Sequence, residues 1–342
     1  MSYGWFIPVI VGVSFFLTWV LRRYALSRSL IDIPNARSSH SVPTPRGGGV
    51  AIVLAFTLAL AMLLVTGQIP SSAFFAIAGA GALIAVIGFM DDHGHIAARW
   101  RLLGHFAASA WLLFWVGGLP VVVIGGEAFD LGWFGHVLAA FYLVWLLNLY
   151  NFMDGIDGIA SVEAICVCLG ACLLYWMSGA TDLIPAALLL AASVAGFLFW
   201  NFPPARIFMG DAGSGFLGIV LGGLSLQAAW VSADLFWGWL ILLGVFIVDA
   251  TFTLFRRLLR GDKIYEAHRS HAYQFASRRF GNHLPVTLVV GAINLFWLLP
   301  IALGVTQFHL NSSLGVVSAY APLVVLAIRF HAGALEGPSM KN

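Results

Sequence analysis

Six aspartates, Asp91, Asp92, Asp154, Asp157, Asp211 and Asp249, punctuate a chain that is otherwise strongly apolar. Asp91 and Asp92 are adjacent, in Gly88-Phe-Met-Asp91-Asp92-His93-Gly-His95. Neighbouring carboxylates repel each other unless a cation lies close, which points to a hard divalent metal or to proton transfer. Asn148, Asn151, Asp154 and Asp157 recur every three residues, a step that keeps them roughly on one side of a helix and its exit turn. Asp211 lies in Gly210-Asp211-Ala-Gly-Ser214-Gly215, where a helix start offers N–H donors to phosphate and the carboxylate offers oxygen to a metal.

Basic groups accompany the acids. Arg37 and His40 precede Arg46, which is followed by three glycines; bare N–H groups beside a guanidinium make an anion site. His268, Arg269 and His271 lie in a stretch with seven Lys or Arg between Arg256 and Arg279. Among so many cations, and without HExxH context, these histidines read as phosphate donors rather than zinc ligands. Asp249 falls about two turns inside an apolar segment, so it must be paired or line a wet cleft. Flexible anchors, solvated turns and a lipid-headgroup patch are the plain alternatives, one cluster at a time.

The elements that position these groups are membrane helices. With 61% hydrophobic and 9% charged residues over 342 positions, the bilayer is the solvent for most of the chain. The expected fold is an all-α polytopic membrane protein of one domain, 1–342. It has about eleven transmembrane helices, at roughly 3–21, 47–66, 73–90, 102–118, 135–150, 159–178, 183–200, 215–231, 236–254, 284–305 and 313–330. The segment 118–135 suits a short outer β-hairpin. All 17 Lys and Arg residues fall in alternate junctions or after the last span, which places the N-terminus outside and the C-terminus in the cytoplasm. The polar clusters then share the cytoplasmic face, in loops near 22–46, 91–101, 151–158, 201–214 and 255–283. The first span lacks the charged start and cleavage site of a signal peptide and reads as a retained anchor. Cys166, Cys168 and Cys172 share one span without accompanying metal ligands and read as small buried hydrophobes.

Acids that gather a metal and arginines that gather phosphate together suit a metal–diphosphate substrate and phosphoryl transfer at a membrane boundary. No GxxxxGK[ST] sequence is present. A secondary transporter would instead use carboxylates inside the spans, and only Asp249 and Glu163 lie there. A CDP-alcohol phosphotransferase pattern is missing.

The ordered clusters PNARSSH with PRGGG, GFMDD, NLYNFMDGIDG, FMGDAGSGFLG and HRSHAYQ resemble the polyprenyl-phosphate N-acetylhexosamine-1-phosphate transferases, over about residues 31–282. The likeness is to the branch that starts O-antigen or related surface polysaccharides. It implies transfer of an N-acetylhexosamine 1-phosphate from a UDP-sugar to undecaprenyl phosphate, release of UMP, and Mg²⁺ or Mn²⁺ in a bacterial inner membrane. It also implies roles. Asp91 and Asp92 match the catalytic pair, and Asp211 matches the metal ligand; the further expectation here is that Asp92 or Asp154 helps Asp211 hold the ion. Asn151, Asp154 and Asp157 match the nucleotide-sugar cleft, and His268, Arg269 and His271 match a loop contacting phosphate or sugar. Arg37, His40, Arg46, Asn148, Gly210, Ser214 and Asp249 join the expected phosphate-binding set. The chain departs from the family in His93-Gly-His95, where a further acid is absent, and in HRSH, where histidines are not clustered. The runner-up within the family transfers phospho-N-acetylmuramoyl-pentapeptide. The partners expected are membrane lipids and these two substrates, with no nucleic acid; the many spans permit a homodimer. Which N-acetylated sugar is used (GlcNAc, GalNAc, FucNAc or QuiNAc) is not written in these residues.

Overall fold

The computed structural model describes residues 3–34, 39–94, 96–262 and 268–335. Within them run fourteen α-helices: α1 (Phe6–Ser27), α2 (Val50–Val65), α3 (Ser71–Gly94), α4 (Ala98–Val116), α5 (Gly132–Met153), α6 (Ile159–Met177), α7 (Ile184–Asn201), α8 (Asp211–Val231), α9 (Ala233–Leu242), α10 (Gly244–Arg260), α11 (Ala272–Phe280), α12 (Leu284–Ile293), α13 (Leu299–Gln307) and α14 (Ser312–Arg329). Two small antiparallel strand pairs complete the described chain. One joins β1 (Ile31–Asp32) to β2 (Thr44–Pro45), and the other joins β3 (Val122–Ile124) to β4 (Glu127–Phe129).

Most of the helices are apolar all round because they face either lipid or one another, whereas α10 and α11 each carry a charged face. Eight are long and apolar enough to cross a membrane, or nine if the bent pair α9–α10 is one span, fewer than the eleven expected. The shortfall has a physical source. Helix α2 has only 16 residues, or about 24 Å at 1.5 Å per residue. Helix α4 carries Arg99, Arg101 and His105 in its first two turns. The segment expected as one span at 236–254 breaks after Leu242 and bends by 68° into α10. Helices α12 and α13 are one 24-residue helix, Leu284–Gln307, with a π-helical turn at Asn294–Leu298. There Asn294 donates its amide to the Val290 carbonyl and to Glu163 Oε2 (2.6 Å), which keeps both groups paired in the core.

Helix α8 is the hub. It packs most extensively against α3 and α5, and its buried residues run from Ala212 to Ala229. Small residues allow this closeness. A Cβ on Gly218 would stand 2.6 Å from the Leu147 Cα, and one on Gly213 would stand 2.6 Å from the Gly49 Cα. The N-terminal end of α8 and the C-terminal ends of α3 and α5 are thereby drawn together, and these ends carry the acids.

Candidate active site

Two helix ends build the centre of the site. On α3, Gly88 lies one turn before Asp92, and a Cβ there would come within 2.5 Å of the Ala212 nitrogen. This close approach lets Asp92 cap α8 from outside, accepting from the Asp211 N–H at 3.3 Å and the Ala212 N–H at 3.4 Å. Gly210, at φ +79°, makes the turn into the helix and has no room for a side chain beside the Asp92 carboxylate. Asp91 and Asp92 sit at the unfavourable C-terminal end of α3, yet the positive end of the α8 dipole compensates Asp92. The Arg46 guanidinium donates to the Asp92 carbonyl and fixes the chain just before α2 against the end of α3.

Asp91 takes a different cation. Its carboxylate accepts from the Arg101 guanidinium and from the Ile96 N–H, the latter at 2.7 Å, and its side chain is only 6% exposed. The same guanidinium lies 3.9 Å from Asp211 Oδ2. Asp211 is the open member of the set, with a side chain 39% exposed. Asn151 orients it, donating its amide at 3.0 Å to Asp211 Oδ1 and to Ser214 Oγ.

Asp154 follows the last turn of α5 with no cationic partner among the described residues. Burial, and then the charges of Asp211, Asp92 and Asp157, push its carboxyl well above the usual carboxylate range. Asp157 is held on both oxygens: Oδ2 accepts from the Ala205 N–H at 3.0 Å, and Oδ1 lies 3.1 Å from His283 Nδ1.

These groups line one polar cleft of about 590 Å³, which holds His40, Arg46, Asp92, Asn151, Asp154, Asp157, Gly210, Asp211 and Ser214. A small pocket of about 40 Å³ adjoins it through Asn151 and Asp211, and contains Asp91, Arg101, His105 and Asn148. Arg101, His105, Asn148 and Phe152 also border an apolar groove of about 450 Å³ between α4, α5 and α10, walled by Leu102, Phe106, Phe141, Trp145 and Leu254. Carboxylates, a guanidinium and an apolar trough therefore meet at Arg101. A still larger cavity of about 720 Å³ lies at the far ends of α3 and α8, beside Gln68, Asp182 and Gln227, away from all six aspartates. Volume alone does not find the chemistry.

Several expected residues lie elsewhere. Asp249 does not border the cleft: its carboxylate caps α11, accepting from the Ala272 and Tyr273 N–H groups at 2.9 and 3.0 Å. His268, Arg269 and His271 do not line the cleft either; His268 and His271 stack with ring centroids 4.9 Å apart behind Phe152, while Gln274 reaches the cleft. The expected bare glycine N–H groups after Arg46 are largely used, since Gly48 and Gly49 donate to the Phe208 and Met209 carbonyls. Arg37 lies outside the described residues. Sequence reading missed Arg101, Gln274 and His283. Arg101 carried a signal, a charge in the first turn of an apolar helix ten residues from an acid pair; His283 and Gln274 are joined to the site only by folding.

The donor set suits a hard cation. It is built of carboxylate oxygens, with Asp211 open and Asp154 lacking a positive neighbour among the described residues. Among the described residues, no three His, Cys, Asp or Glu side chains converge into a closed cage. A hard cation here would be held by one or two carboxylates, Asp211 with Asp154 or Asp92.

Residues 74–229, which include most of these groups, match the profile of Glycosyl transferase family 4. A Bacillus subtilis (strain 168) protein named "Probable undecaprenyl-phosphate N-acetylglucosaminyl 1-phosphate transferase" is 32% identical over 263 residues, 75% of this chain and 72% of its own. The chain belongs to glycosyl transferase family 4. Family relatives include the Thermotoga maritima undecaprenyl-phosphate alpha-N-acetylglucosaminyl 1-phosphate transferase, 28% identical over 84% of this chain and 86% of that one. A phospho-N-acetylmuramoyl-pentapeptide-transferase from Moorella thermoacetica is 35% identical, over a shorter stretch covering 54% of this chain and 61% of its own. The family members are transferases, and with eight or nine helices among the described residues long and apolar enough to cross a membrane, this chain is a multi-pass membrane phosphotransferase.

Proposed function

We propose that this protein transfers an N-acetylhexosamine 1-phosphate from a UDP-sugar to undecaprenyl phosphate, making the first lipid-linked intermediate of an O-antigen or related polysaccharide. The observation that carries the reading is that a small pocket joins the acid-lined cleft to the apolar groove, sharing Asn151 and Asp211 with the cleft and Arg101 with the groove. A water-soluble donor fits the former and a polyprenyl chain the latter. The N-terminus lies outside and the cleft faces the cytoplasm of a bacterial inner membrane, in keeping with the distribution of Lys and Arg.

In the transfer, an oxygen of the lipid phosphate bonds to the β-phosphorus, and the bond from that phosphorus to the bridging oxygen breaks. The bridging oxygen leaves with UMP. The lipid phosphate is already ionised at neutral pH, so Asp91 acts by orienting Arg101 and the incoming phosphate rather than by taking a proton. Arg101 neutralises the acceptor, and Arg46 and His40 face the donor side of the cleft. Asp211, with Asp154 or Asp92, would hold Mg²⁺, which when bound withdraws charge from the diphosphate. Asn151 sets the Asp211 carboxylate for that task.

The two carboxylates within the spans do not favour transport. Glu163 is bound through one oxygen to Asn294, and Asp249 to the start of α11, so among the described residues each serves a local contact. The muramoyl-pentapeptide reading is separated from the proposed one by donor choice. Purified protein, Mg²⁺, undecaprenyl phosphate and a panel of UDP-sugars are expected to give UMP and lipid diphosphate in equal amounts with an N-acetylhexosamine donor, and none with EDTA. Product only from the UDP-muramoyl-pentapeptide, or from no donor, would overturn the proposal.

A further inference from the structure

His283 stands just before α12 and touches none of the groups assigned above to the metal or the transferred phosphate. Its ring is nonetheless a junction between segments far apart in sequence. Nε2 is 3.0 Å from the Ser39 carbonyl oxygen, 244 residues away, and Nδ1 is 3.1 Å from Asp157 Oδ1. Asp157 continues the connection, because its other oxygen accepts from the Ala205 N–H and its carbonyl accepts from Thr287 Oγ1 at 2.8 Å. The Ser39 segment leads through β2 to Arg46, the Asp157 turn carries Asp154, and the Ala205 segment leads to Gly210 and Asp211. Three walls of the cleft are thus tied through one imidazole–carboxylate pair.

Two features show that the tie is shaped rather than incidental. Both of its partners, a carbonyl and a carboxylate, are acceptors, so making both bonds requires a proton on each ring nitrogen. A neutral ring retains the Ser39 bond and exchanges the carboxylate for the Asp157 N–H, which lies 3.3 Å from Nδ1. Ser39, His40, Asp157, Phe208 and His283 also border a second cleft of about 620 Å³, so the ring stands in the partition between two openings. The loss of the tie would let the Ser39–Arg46 segment move away from the Asp154 turn.

We propose that His283 is a positioning residue for the nucleotide-sugar donor, holding the Ser39–Arg46 segment and the Asp154–Asp157 turn as facing walls of the cleft. The assignment of the donor rests on the function proposed above; the tether itself does not. A hydrogen bond to a charged group contributes about 1.5–3 kcal/mol, so His283→Ala is expected to raise the donor KM about tenfold or more. The polyprenyl-phosphate KM and kcat change little, and His283→Gln, which keeps an N–H donor, recovers part of the loss. Asp157→Asn combined with His283→Ala is no worse than the poorer single variant, since both remove one unit.

A second reading is independent of turnover. In full-length protein without substrate, trypsin cuts after Arg46 several-fold faster in His283→Ala than in wild type, at similar melting temperature. Should His283→Ala fail to fold, His283→Gln and Asp157→Asn supply both readings, each having lost half of the tether. Unchanged donor KM with unchanged cleavage overturns the proposal, as does a fall confined to kcat. A wild-type protein inactive with every UDP-sugar would count against the proposed function, and cleavage alone would then decide the tether.

Discussion

On the proposed function, Arg101→Gln is expected to separate the acceptor side of the site from the donor side. Arg101 neutralises Asp91, whose side chain is 6% exposed, and lies 3.9 Å from Asp211 Oδ2. At an effective dielectric constant near 20, the Arg101–Asp211 attraction alone is about 4 kcal/mol before desolvation. Arg101 is 35% exposed, so solvent screening and the retained Ile96 N–H bond to Asp91 reduce the net effect. A loss of about 1.5–3 kcal/mol remains, the range for a hydrogen bond to a charged group, equivalent to about tenfold to a hundredfold in kcat/KM. The residue borders the small pocket and the apolar groove but not the main cleft. The loss is therefore expected in the polyprenyl-phosphate KM and in kcat, with the UDP-sugar KM within about twofold of wild type. Initial rates measured with each substrate varied in turn decide it. A variant within twofold of wild type, or one defective only in donor KM, refutes the placement of the acceptor phosphate at Arg101.

Asp154→Asn removes a carboxylate surrounded by three others and is expected to raise the metal-free melting temperature by a few degrees while lowering turnover at least a hundredfold, from loss of about 3 kcal/mol of charge stabilisation. A lower melting temperature would contradict the repulsion that burial and Asp211, Asp92 and Asp157 create. Gly88→Ala places a Cβ against the α8 backbone and is expected to cost about 1–3 kcal/mol, read as a lower melting temperature in detergent. A neutral result would show that α3 and α8 are not in close contact. The third concerns pH. Burial opposes charge on His283, but the Asp157 hydrogen bond and charge, with the Ser39 carbonyl, raise its pKa above the usual 6.5. A raised histidine pKa adds stability that is complete below the unfolded value and disappears as pH climbs through the folded one. Among the described residues, Asp157 faces the ring directly; the two clefts that it borders also carry His40 and Arg278 on one side and Asp32, Arg46 and Asp154 on the other. The gap in melting temperature between wild type and His283→Gln is accordingly expected to narrow from pH 6 to pH 9, and a constant gap would remove the imidazolium from the account.

Much of the site was visible in the amino-acid order because acids are costly in an apolar chain, so each cluster stands out against its neighbours. Asp92, Asn151, Asp154, Asp157, Asp211 and Ser214 were found that way, and folding brings them to one cleft. What periodicity cannot show is which polar group consumes another. Asp249 looked like a ligand but caps α11, a helix that begins 23 residues later. The glycines after Arg46 looked like an anion cradle, yet they spend N–H groups on carbonyls 160 residues away and admit α8. Arg101 was legible as charge that orients the chain and not as the partner of Asp91. The break at Leu243 was hidden for another reason: both halves are apolar, so hydropathy runs through a bend of 68°.

The claim that most depends on the geometry is that a lipid-borne acceptor lies in the groove between α4, α5 and α10 with its phosphate at Arg101. A polyprenyl phosphate bearing a photoreactive group near its head, activated in membranes containing the full-length protein, tests this directly by mass spectrometry of the labelled peptides. The account predicts adducts on Leu102, Phe106, Phe141 or Trp145 that disappear when excess undecaprenyl phosphate competes. Competable adducts confined to the far cavity beside Gln68 and Gln227, with none on α4 or α5, would contradict it.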